Sequence, residues 1–315
     1  MFRGNERGRA AARIVGARRH VAAVLLALAA LALLALPAVA QSLSGDQILE
    51  RIDEHGGIGG MGSQVSFLSF TIVDKTGARQ EEFFASFSKG SADPTVPNRN
   101  LILFLAPPAE TCGTIFLSID RKVVGEKPEL YLFLPAIGQV KQIVTTSERK
   151  GSFAGSNIQF DQIGQSQLHT DFTATLVGED TVNVSVDGVT QDRRVYVLDL
   201  AVNKESVADE SYPERRVWVD EEAYVVLRSE GTNTVGKLEL VTTVDGLVTF
   251  KGGLQPSLMV VQNVLDQSST TVTISDREDV GELADSLFDP GALAQFDPRQ
   301  FNDRLTVKIP DPVCP

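Results

Sequence analysis

Short runs of hydrophobic residues alternate with turn-forming residues over most of the chain, a pattern typical of a mainly β protein. The run at Leu130–Leu134 is hydrophobic at every position, so a strand there needs cover on both of its faces. Pro135 ends this strand, because proline cannot donate a hydrogen bond to a sheet. Gly138 permits a turn, and Gln139–Val144 is the predicted returning strand. The sheet is therefore expected to be buried on both sides at this point.

A polar connector, Thr145–Lys150, leads from this strand pair to a loop of small residues, Gly151–Ile158, in which Phe153 stands out as a large hydrophobic residue. Phe160 and Ile163 follow at helical spacing. A short hydrophobic flap beside a strand with two hydrophobic faces indicates a lid over an apolar hollow. An ordinary surface loop anchored by Phe153 fits the same pattern, and the sequence does not separate the two interpretations.

The other hydrophobic runs predict strands that follow one another as hairpins, roughly a dozen in all, and sequential hairpins favour an antiparallel sheet. Turn-forming residues predict connections at Lys75–Ala78, Gly178–Asp180, Asp187–Gly188 and Asp245–Gly246. These further predicted strands cover residues 65–74, 79–88, 101–105, 113–120, 168–177, 182–186, 195–202, 216–220, 223–230, 237–244, 247–251, 259–265 and 270–275.

Helices are predicted at both ends of the β region. Ser44 and Gln47 have the spacing of a capping box, and the amphipathic helix that they begin is expected to end near Gly56. Asp276 is the predicted N-cap of a second helix, which ends at Asp289–Gly291. The hydrophobic positions are Ile48, Leu49 and Ile52 in the first helix and Val280, Leu283 and Leu287 in the second. We therefore expect a fold that is mainly β with a few helices.

The first forty residues have the pattern of an export signal. Six arginines precede the hydrophobic run Val21–Leu36, and Pro37–Ala40 supplies a cleavage site of small residues. The run is shorter than the ~20 residues that a membrane-spanning helix prefers. We therefore expect cleavage before Gln41, with an uncleaved anchor as the alternative. The remaining chain is predicted to consist of a β domain at 41–275 and a helical, proline-rich tail at 276–315.

Charge and cysteine content bear on the environment of the exported chain. Removal of the first forty residues, with their six arginines and one glutamate, lowers the formal net charge from −12 to −17. Such an acidic protein is a poor nucleic-acid binder and is repelled by anionic membrane surfaces. In an oxidising compartment, Cys112 and Cys314 favour one disulfide that ties the tail to the body, with two free thiols as the alternative.

The mature chain lacks the residue patterns of common catalytic and metal sites. Its two histidines are His55 and His169, and no H-E-x-x-H, C-x-x-C or G-x-S-x-G pattern occurs. The carboxylates of Asp220–Glu222 lie in a predicted hairpin tip, where charges are normally solvated. Gly57–Gly62 matches G-x-G-x-x-G, but a nucleotide site needs a strand before it and a helix after it, and here the order is reversed. We expect no cofactor, no metal and no enzymatic activity, with a hydrolase of unusual site as the alternative.

Three segments stand out by their content, order and spacing. They are F-L-A-P-P to G-T-I-F-L at 104–117, L-Y-L-F-L-P-A to S-F-A-G-S at 130–156, and R-V-W-V-D with the strand after it at 216–226. Together they resemble the bacterial outer membrane lipoprotein-sorting proteins of the LolA/LolB-like superfamily, over about residues 44–245. The resemblance implies a strongly curved, incomplete antiparallel β-barrel. It also implies that helices plug the concave face of this barrel and that acyl chains bind in the apolar hollow between them.

The resemblance and the residues together predict a periplasmic carrier that binds a lipid or the acyl chains of a lipoprotein within domain 41–275. Its expected partners are those acyl chains and an inner-membrane lipid exporter, with no nucleic acid, and we expect a monomer. A ligand-sensing or adaptor module for an envelope regulator or lipid exporter is the alternative. The residues expected to form the cavity wall and lid are Phe70, Phe104, Phe116, Leu132, Leu134, Phe153, Ile158 and Trp218. For each of them, core packing without a ligand is the alternative.

Overall fold

The structure, a computed structural model, describes residues 43–55, 62–106, 111–123, 126–165, 167–203 and 210–312. The predictions for the signal peptide, for most of the Gly57–Gly62 stretch and for Cys314 lie outside these ranges and stay predictions.

Thirteen strands and several short helices make up the described part of the chain. The strands are β1 (Gly62–Val73), β2 (Arg79–Gly90), β3 (Asn98–Ala106), β4 (Ile115–Asp120), β5 (Glu129–Leu134), β6 (Gln139–Gln142), β7 (Phe172–Val186), β8 (Val189–Val202), β9 (Glu214–Asp220), β10 (Val226–Thr232), β11 (Leu238–Phe250), β12 (Gly253–Asn263) and β13 (Ser268–Glu278). The α-helices are α1 (Gly45–Glu54), α2 (Thr146–Arg149) and α3 (Phe160–Gly164). The 3-10 helices are Phe153–Gly155, Asp285–Phe288, Pro290–Gln295 and Pro298–Phe301.

All thirteen strands belong to one curved sheet in the order β10-β9-β8-β7-β11-β12-β13-β1-β2-β3-β4-β5-β6. Neighbouring strands pair antiparallel, except that β11 and β7 pair parallel where Gly246 lies opposite Ser185. β11 also pairs with β10, so strands β7 to β11 close on themselves at one end of the sheet. The prediction of a mainly β fold with a curved antiparallel sheet and a few helices is confirmed.

The sheet carries a hydrophobic layer on each face over β1–β5. Alternation along β5 places Leu130 and Leu132 on one face, which we call the inner face, and Tyr131 and Phe133 on the other, the outer face. The inner face packs against α3, and the outer face packs against the segment that follows β13. The unbroken hydrophobic run of β5 predicts cover on both faces, and two different segments supply it.

The prediction of a helix that begins at Asp276 is wrong, and three short 3-10 helices follow β13 instead. Asp276 lies inside β13 with a φ of 48°, and the strand continues to Glu278. Asp289 accepts a hydrogen bond from the Gly291 backbone N–H and caps Pro290–Gln295, so this Asp-Pro-Gly sequence begins a helix rather than ending one. Val280, Leu283 and Leu287, the hydrophobic positions of the predicted helix, nevertheless pack on the outer face.

Two of the predicted turns are irregularities within long strands. The pairing of β7 with β8 shifts register just before Gly178, and the pairing of β11 with β12 shifts on both sides of Gly246. A Cβ atom on Gly246 would lie 2.8 Å from Ser257 Oγ, so glycine permits the close approach of β12 there rather than a turn. The chain reverses instead at Lys251–Gly252, whose φ angles of 51° and 79° have the signs that a type I′ hairpin requires.

Capping boxes begin α1 and α2, among other helices. Ser44 Oγ accepts a hydrogen bond from Gln47 N at 3.2 Å, and Gln47 Oε1 accepts one from Ser44 N at 2.9 Å, so the predicted start of α1 is confirmed. The polar connector before Phe153 also contains a helix, α2, which Thr145 and Glu148 cap in the same way. Their T-x-x-E spacing is a sequence signal for such a cap.

Candidate functional site: a cavity on the inner face

A cavity of about 330 Å³ lies on the inner face, bordered by the sheet, α1 and α3. Strands β1–β4 and β8–β13 all contribute wall residues, so both halves of the sheet line it. An apolar protein cavity of about 150 Å³ holds one benzene molecule. By proportion, this cavity has room for about a dozen carbon atoms, which corresponds to one hydrocarbon chain.

One end of the cavity is hydrophobic. Leu68 and Phe70 on β1 lie directly opposite Ile274 and Val272 on β13, and all four side chains border the cavity. Residues from other strands, from α3 and from the loop before α3 complete this end. They are Ile102, Ile158, Ile163, Val244, Met259 and Val261.

The other end of the cavity is polar. Gln64, Ser88, Asn100 and Ser118 form a cross-strand row, each lying opposite the next on β1 to β4. Ser88 Oγ donates a hydrogen bond to Asn100 Oδ1 at 3.0 Å, and Ser86 Oγ donates one to the same oxygen at 2.9 Å. The boundary between the polar and hydrophobic ends therefore runs across the strands, at about the level of Ser86.

Four lysine and arginine side chains belong to the cavity wall, and three of them pair with carboxylates. Asp285 lies 2.7 Å from Lys89 and 3.3 Å from Arg99, and a glutamate lies 2.7 Å from Arg215. Arg277 donates from Nη2 to a backbone carbonyl. Its Nε and Nη1 atoms are buried without a hydrogen-bond partner among the described residues.

A segment of residues 145–165, which we call the crossing segment, passes over the inner face from β6 towards β13. Phe153, near its middle, is fully buried. Ala154 and Gly155 follow with φ angles of 53° and 76°, which turn the chain sharply after this side chain. The Phe153 ring centroid lies 5.3–6.0 Å from the ring centroids of Phe70, Phe84, Phe104, Phe116 and Phe160.

Asn157 fastens the far part of the crossing segment to β13. Its backbone N–H donates to Thr270 Oγ1 at 2.9 Å, and Thr270 Oγ1 donates to its side-chain oxygen at 2.9 Å. The Asn157 Nδ2 group donates to Ser268 Oγ at 2.5 Å. Ile158 and Ile163 follow and border the cavity. The crossing segment therefore forms a roof, anchored in the middle by an aromatic ring and at the far side by hydrogen bonds.

The end of α1 closes another side of the cavity. Asp53 is buried and accepts hydrogen bonds from the backbone N–H groups of Leu168 and His169 at 2.9 Å and from His169 Nδ1 at 2.5 Å. The hydrogen bond to Asp53 raises the pKa of His169. The exposed His55 also borders the cavity, with its ring centroid 5.3 Å from that of Tyr224. The cavity therefore reaches the surface between α1 and the β9–β10 turn.

The acidic cluster at the β9–β10 turn has a structural role. Asp220 is 1% exposed and forms two hydrogen bonds with the Arg193 guanidinium, at 2.7 and 2.8 Å. It also accepts hydrogen bonds from the backbone N–H groups of Glu222 and Ala223. The expectation that these charges are solvated is therefore wrong for Asp220, which holds the turn together.

Within the described ranges, no group of three or more histidine, cysteine, aspartate or glutamate side chains could hold a metal ion. None of the helices in the described part of the chain is long and hydrophobic enough to cross a membrane.

Comparison with known proteins places the chain in a family. A family model described as "-like: Uncharacterized protein" matches residues 97–295, which is more than half of the chain. The chain belongs to this family. A search of the curated proteins found no match.

Solved structures share the fold. A DUF1329 family protein from Desulfovibrio piger matches with a TM-score of 0.68 and 21% identity, over 79% of this chain and 97% of that one. An outer membrane lipoprotein-sorting protein domain from Vibrio parahaemolyticus gives a TM-score of 0.67 and 19% identity, over 79% and 98%. A LolA superfamily protein from Nitrosomonas europaea gives 0.58 and 17%, over 79% and 98%. The predicted resemblance to the LolA/LolB-like superfamily is confirmed, and the fold is LolA-like.

The LolA-like fold distributes the eight predicted ligand-binding residues over the inner-face core. Phe70 and Ile158 border the cavity. Phe104, Phe116 and Phe153 belong to the aromatic cluster beside it. Leu132 and Trp218 are half-buried and pack against the same core, and Leu134 is half-buried at the end of β5. The space beneath the segment at Phe153 is thus filled by phenylalanine rings, and the cavity lies next to this cluster. Contact of any of the eight with a ligand stays a prediction.

Sequence reasoning missed the polar end of the cavity. Gln64, Ser88, Asn100 and Ser118 each lie in a strand that also carries buried hydrophobic residues. Polar residues at every second position of such strands, as in S-x-S at 86–88, are a signal that could have revealed a polar patch on a covered face. Arg277 offered no such signal, because it lies where a helix was predicted.

Cys112 is buried, with its Sγ atom 3.8 Å from the Leu105 carbonyl oxygen. Its predicted partner, Cys314, lies outside the described residues, so the disulfide stays a prediction.

Proposed function

We propose that this protein is a periplasmic carrier that binds a lipid, or the acyl chains of a lipoprotein, in the inner-face cavity. The observation that supports the proposal is the cavity itself, whose volume of about 330 Å³ and hydrophobic end suit a hydrocarbon chain. Burial of each CH₂ group is worth about 0.8 kcal/mol. An acyl chain therefore supplies enough driving force for binding with few polar contacts.

Two further observations support carriage in the periplasm. The first forty residues have the composition of an export signal. The fold is shared with a structure named as an outer membrane lipoprotein-sorting protein domain. We propose the same class of function here, with no catalytic step.

The crossing segment limits the number of acyl chains that fit in the cavity. There is room for about one chain, by proportion to the benzene-sized cavity. A lipoprotein anchor with several chains needs more space, and displacement of the roof at Asn157 would supply it. We propose that the hydrogen bonds of Asn157 to Thr270 and Ser268 break in that step, because they join the far side of the roof to β13.

Uptake of a fluorescent fatty acid tests the proposal. Leu68 is half-buried on the cavity wall, and Leu68→Trp places a larger side chain in the cavity. Val235→Trp is the matched control, because Val235 is 74% exposed between β10 and β11. We expect the wild-type protein and the Val235→Trp variant to bind one probe molecule each, and Leu68→Trp to bind at least about tenfold more weakly, since about two lost CH₂ contacts suffice for that change.

No saturable uptake by the wild-type protein contradicts the proposal. Equal uptake by Leu68→Trp and the wild-type protein contradicts this cavity as the binding site. Thermal unfolding of both variants shows whether either substitution disturbs the fold.

A periplasmic adaptor is the second candidate, and one feature favours it. Among the described strands, β6 lies at the edge of the sheet and pairs with β5 alone, so its other edge offers backbone groups that no described strand pairs with. Ile137, Val140 and Val144 lie exposed in or beside it. A stable partner recovered with the wild-type protein, together with no transfer of lipid between vesicles, favours the adaptor over the carrier.

A further inference from the structure

Arg277 lies at the polar end of the cavity. On β13 it follows Val272 and Ile274, whose side chains border the hydrophobic end. The pairing of β13 with β1 is irregular between Val65 and Phe67 on β1, and Asp276 has a positive φ. This irregularity turns the Arg277 side chain onto the inner face, where it borders the cavity.

The Arg277 guanidinium is largely unsatisfied. Nη2 donates to the backbone carbonyl of Pro256, while Nε and Nη1 are buried with no hydrogen-bond partner in the described ranges. Burial lowers the pKa of Arg277 to about 10, and no carboxylate of the described residues offsets this effect. The side chain is nevertheless charged at neutral pH. A buried cation without an anion costs free energy, so a fold that keeps one leaves a place for a negative group.

The other charged groups of the cavity wall are already engaged. Lys89, Arg99 and Arg215 pair with carboxylates of the chain. The two wall carboxylates are also engaged, because Asp53 accepts hydrogen bonds from Leu168 and His169, and Asp120 accepts one from the Lys122 backbone N–H at 2.9 Å. Arg277 therefore remains as the wall cation without an acidic partner among the described residues.

A second polar side chain is unsatisfied at the same end. Gln255 borders the cavity from β12, and its Oε1 atom is buried with no hydrogen-bond partner among the described residues. A glutamine amide can turn to present its NH₂ group instead of its oxygen. Gln255 is thus a second donor beside the strand that carries Arg277.

We infer that Arg277 binds the anionic head group of an amphiphile whose hydrocarbon chain fills the hydrophobic end of the cavity. The inference rests on the proposed function and adds the chemistry of the ligand's head. A guanidinium suits an anionic head group, because the planar N–H groups of arginine donate in pairs to carboxylate or phosphate oxygens. The hydrocarbon chain lies among Leu68, Phe70, Val272 and Ile274, and the last two precede Arg277 on β13 by five and three residues.

Paired ligands that differ only in head-group charge test the inference. Dodecanoic acid and its methyl ester are titrated against delipidated full-chain protein by displacement of a fluorescent probe. Dodecyl phosphate tests a phosphate head, and inorganic phosphate and acetate test a free anion. Arg277→Gln removes the charge, and Arg304→Gln is the matched control because Arg304 is exposed outside the cavity.

We expect the wild-type protein and Arg304→Gln to bind the acid at least about tenfold more tightly than the ester, as is typical of a charge-assisted hydrogen bond. Arg277→Gln loses this preference and binds the ester as the wild-type protein does. We also expect it to melt at a higher temperature without ligand, since an unpaired buried charge is gone. Whichever of dodecanoic acid and dodecyl phosphate binds more tightly identifies the head group as carboxylate or phosphate.

Equal affinity of the wild-type protein for acid and ester overturns the inference and leaves carriage of a lipid intact. Binding of inorganic phosphate or acetate as tight as that of the amphiphiles also overturns it, because the ligand is then a free anion. If dodecanoic acid, dodecyl phosphate and the methyl ester all fail to bind the wild-type protein, both the inference and the proposed function are overturned. Retention of the acid preference by Arg277→Gln overturns the inference as well, and should that variant not fold, equal affinity of the wild-type protein for acid and ester still overturns it.

Discussion

Glu82 is a carboxyl group buried on the hydrophobic inner face. It lies opposite Phe70 in the sheet, two residues from Phe84, and is 1% exposed. Gln80 Nε2 donates to its Oε1 atom at 2.5 Å, while Oε2 has no hydrogen-bond partner in the described part of the chain. Burial raises the pKa of Glu82 to about 7. Its charge therefore changes near neutral pH, at a place where the charged form is poorly solvated.

The Glu82→Gln variant is expected to be more stable than the wild-type protein at pH 8 and nearly equal to it at pH 4. The folded protein holds the Glu82 proton up to about pH 7, whereas the unfolded chain loses it near pH 4.5. The wild-type protein thus loses stability as pH rises from about 4.5 to 7, and glutamine removes this loss, which is on the order of 3 kcal/mol. Urea unfolding of both proteins across this pH range measures the difference.

The control for this variant is Glu81→Gln, because Glu81 is the exposed neighbour on the other face of the same strand. A stability difference between Glu82→Gln and the wild-type protein that is the same at pH 4 and pH 8 contradicts the account of Glu82.

Among the elements of the fold, the crossing segment is held in position mainly by the side chain of Phe153. Five phenylalanine rings surround this side chain, and the segment has few hydrogen bonds to the sheet apart from those of Asn157. Phe153→Ala is expected to lower the free energy of unfolding by about 3–5 kcal/mol, as large-to-small changes of buried aromatic residues do. Urea unfolding measures this loss.

Phe83→Ala provides the comparison, since Phe83 is 44% exposed on β2. Its loss should stay below about 1 kcal/mol, in the range of surface substitutions. Equal losses for the two variants would contradict the account of Phe153 as the anchor of the crossing segment.

The sequence predicted elements well where a signal is local. The capping box of α1 and most of the strands need only neighbouring residues, and both were recognised. The two bulges at Gly178 and Gly246 were mistaken for turns, because glycine beside an acidic residue serves either purpose. The close approach of β12 decides for a bulge at Gly246, and the pairing with β8 decides for one at Gly178. Neither contact can be read from the neighbouring residues of the sequence.

The candidate site could be predicted only in part. A hydrophobic inner face with Phe70 and Ile158 followed from strand pattern and resemblance, and both residues border the cavity. Its polar end depends on the register that aligns Ser88 with Asn100 and Ser118, and a single sequence does not fix that register.

At the largest scale, the described part of the chain is a curved sheet with a different cover on each side. The segment after β13 covers the outer face with Leu283, Phe288, Phe301 and other hydrophobic residues, so this face has its own core. The inner face is filled beside Phe153 but not beside Met259, where the cavity remains. The asymmetry places the available hydrophobic volume on the inner face.

The central claim is that a hydrocarbon chain occupies the cavity beside Met259, which lies opposite Val244 and Val272 on the neighbouring strands. The most direct measurement is the NMR spectrum of protein labelled at the methionine methyl groups, titrated with a fatty acid that carries a nitroxide at its chain end. The Met259→Leu variant assigns the resonance. We expect the Met259 signal to shift saturably at one ligand per protein and to broaden with the nitroxide. An unchanged Met259 signal in excess ligand would contradict the account.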